Sequence, residues 1–116
     1  MHPFPRDAHL PQLADLFRLL GDTTRLRIIA TCLPGPIAVG DLAAALDLSP
    51  TLVSHHLRLL RAARLVKFER QGKRVLYSVA DRHVLSMLQD MTEHIAEPHP
   101  ETAYVPASES LSPPRS

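Results

Sequence analysis

The sequence predicts a mainly α-helical domain that carries one β-hairpin. Apolar residues recur at helical spacing in most of the chain between positions 10 and 97. From 65 to 79, apolar and polar residues instead alternate on either side of a turn at Gln71-Gly72-Lys73. The chain has 116 residues, of which 45% are hydrophobic and 22% are charged. Length and composition therefore fit a single globular domain.

The first two predicted helices are separated by a single glycine. The first spans residues 10–20 and ends at Gly21. Its apolar stripe is expected to comprise Leu10, Leu13, Leu16, Phe17 and Leu20. Asp22 is a suitable N-cap for a second helix that continues to about residue 33. The positions of the second helix that we expect to be buried are Leu26, Ile29, Ala30 and Leu33. Pro34-Gly35-Pro36 then ends the helical pattern.

A short helix, a tight connection at Asp47-Leu48 and a longer helix are predicted next. The third helix spans about 39–46, and its inward positions are expected to be Leu42, Ala45 and Leu46. Ser49 is expected to cap the fourth helix, and Pro50 suits its first position, where no N–H donor is needed. One face of the fourth helix contains Leu52, Val53, His56, Leu57, Leu60 and Ala63. Because His56 falls on this face, we expect it to have a structural role.

The hairpin is followed by a fifth helix, and both ends of the chain differ in composition from the middle. Asp81 is a suitable N-cap for this helix, and Pro98 cannot continue it. Its apolar stripe is expected to comprise Val84, Leu88, Met91 and Ile95. We expect residues 1–9 to be a flexible arm, residues 10–97 to be the folded domain, and the proline-rich residues 98–116 to be disordered.

This order of elements predicts a winged helix-turn-helix that contacts DNA. Residues 49–79 contain seven basic residues and one acid, a distribution that favours binding to a polyanion. A helix fits the major groove of duplex DNA, and a basic hairpin tip can reach the flanking phosphates. We therefore expect DNA contacts from the start of the fourth helix and from the hairpin, through Ser49, Thr51, Ser54, His55, Arg58, Arg70, Lys73 and Arg74.

The composition argues against several other classes of protein. No apolar run is long enough to span a membrane, and the first residues do not resemble a secretory signal, so a cytoplasmic protein is expected. The single cysteine, Cys32, excludes a disulfide framework within one chain. The four glycines form no phosphate-binding loop. We accordingly expect no membrane partner, no small organic substrate and no enzymatic activity.

Four segments resemble the ArsR/SmtB family of bacterial metal-responsive repressors. They are GDTTRLRII, VGDLAAALDLSPTLVSHHLRLLRAARLV, FERQGKRVLYSV and DRHVL, and the resemblance covers roughly residues 13–97. It implies a homodimer of winged helix-turn-helix subunits, paired through the terminal helices, that binds operator DNA when it holds no metal. It also implies that an inducing metal releases the DNA and derepresses genes for metal efflux or storage.

The resemblance also implies where a metal would bind. One family site uses a Cys-x-Cys-like motif at the start of the third helix, but this chain has no thiol in Ile37-Ala38-Val39-Gly40-Asp41. Its absence argues against arsenite, cadmium and lead, which favour thiolates. The other family site lies on the last helix, and the residues that match its types and spacing are Asp81, His83, His94 and Glu97. This pattern matches the zinc-sensing members.

Helix geometry supports such a site if two subunits share it. His83 and His94 are eleven residues apart, which is about 16 Å along a helix and too far for one ion to bridge. Eleven residues are close to three turns, so the two side chains face the same way. Antiparallel pairing of two copies would bring Asp81 and His83 of one copy beside His94 and Glu97 of the other, giving two equal sites. Two imidazoles and two carboxylates suit Zn²⁺, and Co²⁺ could substitute.

Other interpretations stay open from the sequence. A Ni²⁺ sensor would need more ligands, which His2, His9 or the N-terminal amine could supply, and His99 could also join. A winged-helix repressor could instead respond to a non-metal signal, although a buried Cys32 would be inert. A zinc hydrolase needs an open coordination position, which four protein ligands do not leave. A winged helix that binds only proteins would lack the salt-dependent DNA binding that phosphate contacts cause.

Overall fold

Five helices and three short strands make up the part of the chain that the computed structural model describes, residues 7–98. A 3-10 turn at Asp7–His9, which falls in the expected flexible arm, leads directly into the first helix. The elements are α1 (Leu10–Leu20), α2 (Thr23–Thr31), β1 (Ile37–Ala38), α3 (Val39–Leu46), α4 (Pro50–Ala62), β2 (Val66–Gln71), β3 (Arg74–Val79) and α5 (Arg82–Ala96). No helix in this described part has the length and apolarity needed to cross a membrane.

Side-chain caps fix where three of the helices begin, at the residues that the sequence predicts. The Asp22 carboxylate accepts a hydrogen bond from the backbone N–H of Arg25 at 2.9 Å, and this bond lowers the pKa of Asp22. The Ser49 hydroxyl accepts one from Leu52 at 3.1 Å. Asp81 accepts two bonds at the start of α5. These caps satisfy N–H groups that have no partner inside the helix, so a polar side chain marks each of these starts.

The three strands form one antiparallel sheet in the order β1-β3-β2. The hairpin of β2 and β3 is confirmed, and its loop is Gly72-Lys73, with Gly72 at a φ of 63° that favours glycine. The sequence did not predict β1, in which Ile37 pairs with Tyr77 and Ala38 with Leu76. A strand of two residues leaves no alternating pattern to detect. It nevertheless fastens the start of α3 to the hairpin.

Two predicted burial patterns are wrong in phase. In α2, Leu26 is 40% exposed and Ala30 is also exposed, whereas Ile28, Ile29 and Cys32 are completely buried. The helix ends at Thr31 with Cys32 as its C-cap. The buried residues recur at helical spacing, but the stripe starts two residues later than predicted. In α3, Ala43 rather than Ala45 is buried. Residues 43–45 are all alanine, so hydrophobic spacing cannot predict which of the three is buried.

The core lies where α2, α3 and α4 meet the base of the hairpin. Its fully or nearly fully buried side chains are Leu20, Ile28, Ile29, Cys32, Leu42, Ala43, Val53, Leu57, Leu60, Leu65 and Val66. Two arginines of α2 extend across this core to neighbouring helix ends. Arg25 donates to the carbonyl of Leu19 at 2.8 Å, and Arg27 donates to the carbonyl of Leu46 at 3.2 Å. The Leu19 carbonyl also accepts a bond from the Asp22 N–H at 3.4 Å, so Arg25 adds to that bond, whereas Arg27 binds a carbonyl in the last turn of α3. In this core, α4 packs against α2, α3 and β2.

Candidate DNA-binding surface and metal-binding residues

The first half of α4 presents a polar stripe on the surface of the protein. Thr51, His55 and Arg58 are exposed and lie on one face, because positions four and seven residues apart align on a helix. Ser54 is half-buried beside them. Ser49 is exposed, but its oxygen already accepts the capping bond from Leu52. Ser49 therefore has its O–H left to offer a phosphate, and the other four side chains can reach base edges or phosphates.

The hairpin extends this polar surface with basic side chains. Arg70, Lys73 and Arg74 are all exposed at or near the Gly72-Lys73 loop. The Arg74 guanidinium, however, donates to the Asp41 carboxylate at 2.8 Å, so its charge is already paired within the protein. This contact was not predicted, because it depends on the register between β1 and β3. The ion pairs within residues 7–98 are Arg74–Asp41 and Arg18–Asp15, and neither of them involves Arg70 or Lys73.

A cation–π contact joins the hairpin to α4. The guanidinium carbon of Arg61 lies 3.9 Å from the centre of the Phe68 ring. Phe68 in turn pairs across the sheet with Tyr77, and their ring centres are 5.9 Å apart. Arg61 was expected only to contribute to the basic charge. The contact shows that Arg61 also joins α4 to β2, the first strand of the hairpin.

His56 is half-buried between α4 and the start of α2, as its place on the inward face suggested. Its Nδ1 atom is buried and has no hydrogen-bond partner within residues 7–98. Burial lowers the pKa of His56 from the ordinary 6.5, Asp22 opposes this shift, and the charges of Arg25 and His55 add to it. His56 is therefore predominantly neutral near pH 7, and its ring packs between the two helices.

We expect the free energy of unfolding to decrease as the pH falls through and below the ordinary histidine range. The unfolded chain takes up a proton on His56 at a higher pH than the folded chain does, and this difference favours unfolding. Urea unfolding between about pH 7.5 and pH 5 measures the effect, and His56→Gln should reduce it. His55→Gln, at the exposed neighbouring position, is the matched control. An unchanged pH dependence in His56→Gln would contradict the assignment.

Asp81 and His83 lie together at the start of α5. Both are exposed, and both line a cavity of about 330 Å³ with Gln12 of α1 and Arg64 at the end of α4. One carboxylate oxygen of Asp81, Oδ1, accepts hydrogen bonds from the backbone N–H groups of His83 and Val84 at 2.9 and 3.0 Å. These bonds hold the carboxylate beside the His83 backbone. The structure thus brings this predicted pair of ligands together.

His94 and Glu97 occupy the other end of α5. His94 lies in the last turn, Glu97 is the C-cap, and both residues are exposed. Within residues 7–98, no three histidine, cysteine or carboxylate side chains are close enough to hold a metal ion. One subunit therefore brings the predicted ligands together only as two separate pairs. Of the additional ligands considered, His9 is exposed at the end of the 3-10 turn, whereas His2 and His99 lie outside the described residues.

The donor types of these two pairs fit a divalent ion of the zinc type. Each pair offers one imidazole and one carboxylate, and neither pair alone satisfies the four-coordinate geometry that zinc prefers. Only Oδ1 of Asp81 accepts the capping bonds, so Oδ2 takes no part in the cap and could bind a metal ion. Two such pairs from two chains would supply four ligands. The residues therefore fit the implied ion in a shared site.

The apolar stripe of α5 has two parts, whereas a single contact surface was expected. Val84 and Leu88, together with Met87, are half-buried against the core of their own subunit. Met91 is 52% exposed and Ile95 is 76% exposed. The first half of α5 is thus needed to cover the core. The second half leaves its apolar side chains on the surface.

An apolar cleft between α1 and α5 adjoins this stripe. It has a volume of about 170 Å³ and is lined by Leu13, Leu16, Phe17, Leu20, Leu65, His83, Val84 and Met87. Phe17 is 54% exposed, although it belongs to the predicted apolar stripe of α1. Exposed apolar side chains that adjoin one another are typical of a protein interaction surface.

Comparison with known proteins identifies the family. Residues 22–67 match the family described as "Bacterial regulatory protein, arsR family". The chain is 43% identical over 86 residues to a transcriptional repressor SmtB homolog of Synechocystis, which covers 74% of this chain and 65%, slightly under two thirds, of that protein. It is 36% identical over 86 residues to a cadmium resistance transcriptional regulatory protein CadC homolog of Staphylococcus aureus, covering 73% of this chain and 71% of that protein.

A solved structure agrees with these sequence relatives. The fold matches the homodimeric winged helix-turn-helix DNA-binding domain of a possible ArsR-family transcriptional regulator from Mycobacterium bovis, with a TM-score of 0.71 and 26% identity. The match covers 89% of this chain and 98% of that domain. The relatives are transcriptional regulators and not enzymes, as expected. This chain therefore belongs to the ArsR family of bacterial regulatory proteins, and its fold is a winged helix-turn-helix.

Proposed function

We propose that this protein is a zinc-responsive repressor that acts in the cytoplasm. As a homodimer without metal it binds operator DNA, and Zn²⁺ bound between the two α5 helices releases the DNA. The genes that it represses would then serve metal efflux or storage. The observation that supports this proposal is that two pairs of candidate ligands lie at opposite ends of one helix, Asp81 with His83 and His94 with Glu97.

The exposed polar surface of α4 and the hairpin supports DNA binding. Thr51, His55 and Arg58 form one exposed stripe at the start of the helix that a helix-turn-helix inserts into the major groove. Arg70 and Lys73 lie on the hairpin, where they can reach the flanking backbone. Arg61 on Phe68 keeps the hairpin in place beside that helix.

The exposed apolar surface of α1 and α5 supports pairing of two copies through these helices. Phe17, Met91 and Ile95 are more than half exposed, and burying such side chains against a second copy would be favourable. Antiparallel α5 helices would also place the two ends of the helix beside each other. The dimer contact and the metal site would therefore use the same helix, so metal binding would favour one arrangement of the two DNA-binding heads.

Three other candidate sites have weaker support in the structure. Cys32 is completely buried, and burial raises the pKa of its thiol to about 11, so it is neither accessible nor ionised near pH 7. The start of α3 has no thiol, and its Asp41 is already paired with Arg74. A Ni²⁺ or Co²⁺ site with additional ligands would have to recruit His9 or residues outside 7–98.

The test is a titration of the metal-free protein on operator DNA with Zn²⁺, Co²⁺, Ni²⁺ and Cd²⁺. We expect Zn²⁺ to weaken DNA binding by about 5–150-fold, the usual range of allosteric coupling, and to bind at two ions per dimer. The visible spectrum of the Co²⁺ form should be that of a four-coordinate site. Stronger release by Ni²⁺ with six-coordinate spectra would favour the nickel alternative. Release by none of the metals would overturn the proposal.

A further inference from the structure

Asp41 and Arg74 form an ion pair between the helix-turn-helix and the hairpin. Asp41 lies in the first turn of α3, and Arg74 is the first residue of β3. The pairing of Ala38 with Leu76 places these two residues side by side, and the guanidinium donates to Asp41 Oδ2 at 2.8 Å. The contact thus joins two elements that are 33 residues apart in the chain.

The ion pair lies within the surface on which DNA binding is proposed. In a helix-turn-helix the first helix crosses the DNA backbone, and in this fold the hairpin lies beside it. Both side chains are nearly two thirds exposed, 63% for Arg74 and 64% for Asp41, so neither is fixed by burial. Exposed ion pairs of this kind contribute little to stability. Because the guanidinium already donates to Asp41 in the free protein, a DNA phosphate can bind Arg74 only by displacing this carboxylate.

We propose that Asp41 tunes DNA binding by competing with the phosphate backbone for Arg74. In the free protein the carboxylate neutralises this arginine, so the hairpin presents Arg70 and Lys73 to DNA but withholds the third charge. Asp41 also adds a negative charge where α3 approaches the backbone. It thereby limits the affinity for DNA of any sequence, and it leaves base contacts from α4 to decide which DNA is bound. This inference rests on the proposed DNA surface.

The salt dependence of DNA binding separates this idea from simple charge repulsion. Each phosphate contact steepens the plot of log affinity against log salt concentration by about 0.9. An Arg74 released from Asp41 makes one new contact per subunit on DNA, which corresponds to about eightfold tighter binding at 0.1 M salt. Removing a carboxylate that only repels DNA would change the affinity but not the number of phosphate contacts. The slope therefore reports what Arg74 does.

The experiment measures binding of the full-length, metal-free protein to a mixed-sequence duplex of about 30 base pairs over a range of salt concentrations. For each subunit that contacts the duplex, we expect Asp41→Asn to bind about eightfold more tightly and the slope to steepen by about 0.9. Asp41→Asn in an Arg74→Ala background should leave the slope unchanged. Asp15→Asn, which breaks the Arg18–Asp15 pair on α1, is the matched control and should bind like the wild type.

The outcomes distinguish this inference from the proposed function. If the wild type binds with a salt-dependent affinity but Asp41→Asn leaves the slope unchanged, or weakens binding, the inference is overturned and the DNA surface stands. If the wild type shows no salt-dependent binding to duplex DNA, the proposed function fails and this inference fails with it. Thermal unfolding of each variant confirms that the exposed substitutions have not altered the fold.

Discussion

His94→Ala is expected to abolish zinc-induced release of DNA while metal-free DNA binding stays within about twofold of the wild type. His94 lies in the last turn of α5, far along the helix from the α4 and hairpin residues proposed to contact DNA. Its removal would take one imidazole from each of the two proposed sites. Losing an outer hydrogen bond to a ligand already costs about 10–100-fold in metal affinity, so losing the ligand itself should cost at least as much.

The affinities for zinc and for DNA both have to be measured. A loss of zinc-induced release alone could mean either that zinc no longer binds or that bound zinc no longer affects DNA binding. Zinc binding by competition with a chelator should weaken by at least about 100-fold, and the DNA affinity should no longer depend on zinc. Alanine has a high helix propensity, so α5 should keep its structure. Glu93→Ala is the matched control: Glu93 is the exposed neighbour, turned about 100° around the helix from His94. Normal zinc release by His94→Ala would show that the metal ligands are wrongly assigned.

Local signals in the sequence were sufficient for most of the fold. Each of α2, α4 and α5 begins after a capping side chain, and α1 and α3 have the predicted bounds, because caps and helical spacing act over a few residues. The hairpin was equally clear, because alternation and a glycine turn are also local. The pairing of Asp81 with His83 follows from their spacing at a helix start.

The features that the sequence did not predict depend on distant contacts. Strand β1 exists only because Ile37 and Ala38 find partners in β3, and the Asp41–Arg74 pair depends on that register in turn. The contact of Arg61 with Phe68 likewise depends on how the hairpin folds back over α4. In α5, spacing identified an apolar stripe but did not divide it into a half that covers the core of its own subunit and a half that stays exposed. Tertiary packing determines which part of a helix face is buried, and hydrophobic periodicity alone does not predict that packing.

A mixed dimer of His83→Ala and His94→Ala subunits is expected to regain one tight zinc site, although neither variant has one as a homodimer. If each site takes Asp81 and His83 from one chain and His94 and Glu97 from the other, the mixed dimer concentrates both defects in one site. The other site then has all four ligands. The helix geometry is the reason for this expectation: about 16 Å separates His83 from His94 within one helix, so one ion cannot bind both unless two chains supply them.

The mixed dimer can be isolated by placing a different affinity tag on each variant and purifying through both. We expect one tightly bound zinc per mixed dimer and a four-coordinate Co²⁺ spectrum at half the intensity of the wild type. A dimer of two differently tagged His83→Ala chains is the control and should bind none tightly. Absence of a restored site in the mixed dimer would mean that the two ends of α5 do not meet across the dimer. The proposed coupling would then lose its physical basis, since a metal held within one subunit would not bias how the two DNA-binding heads are arranged.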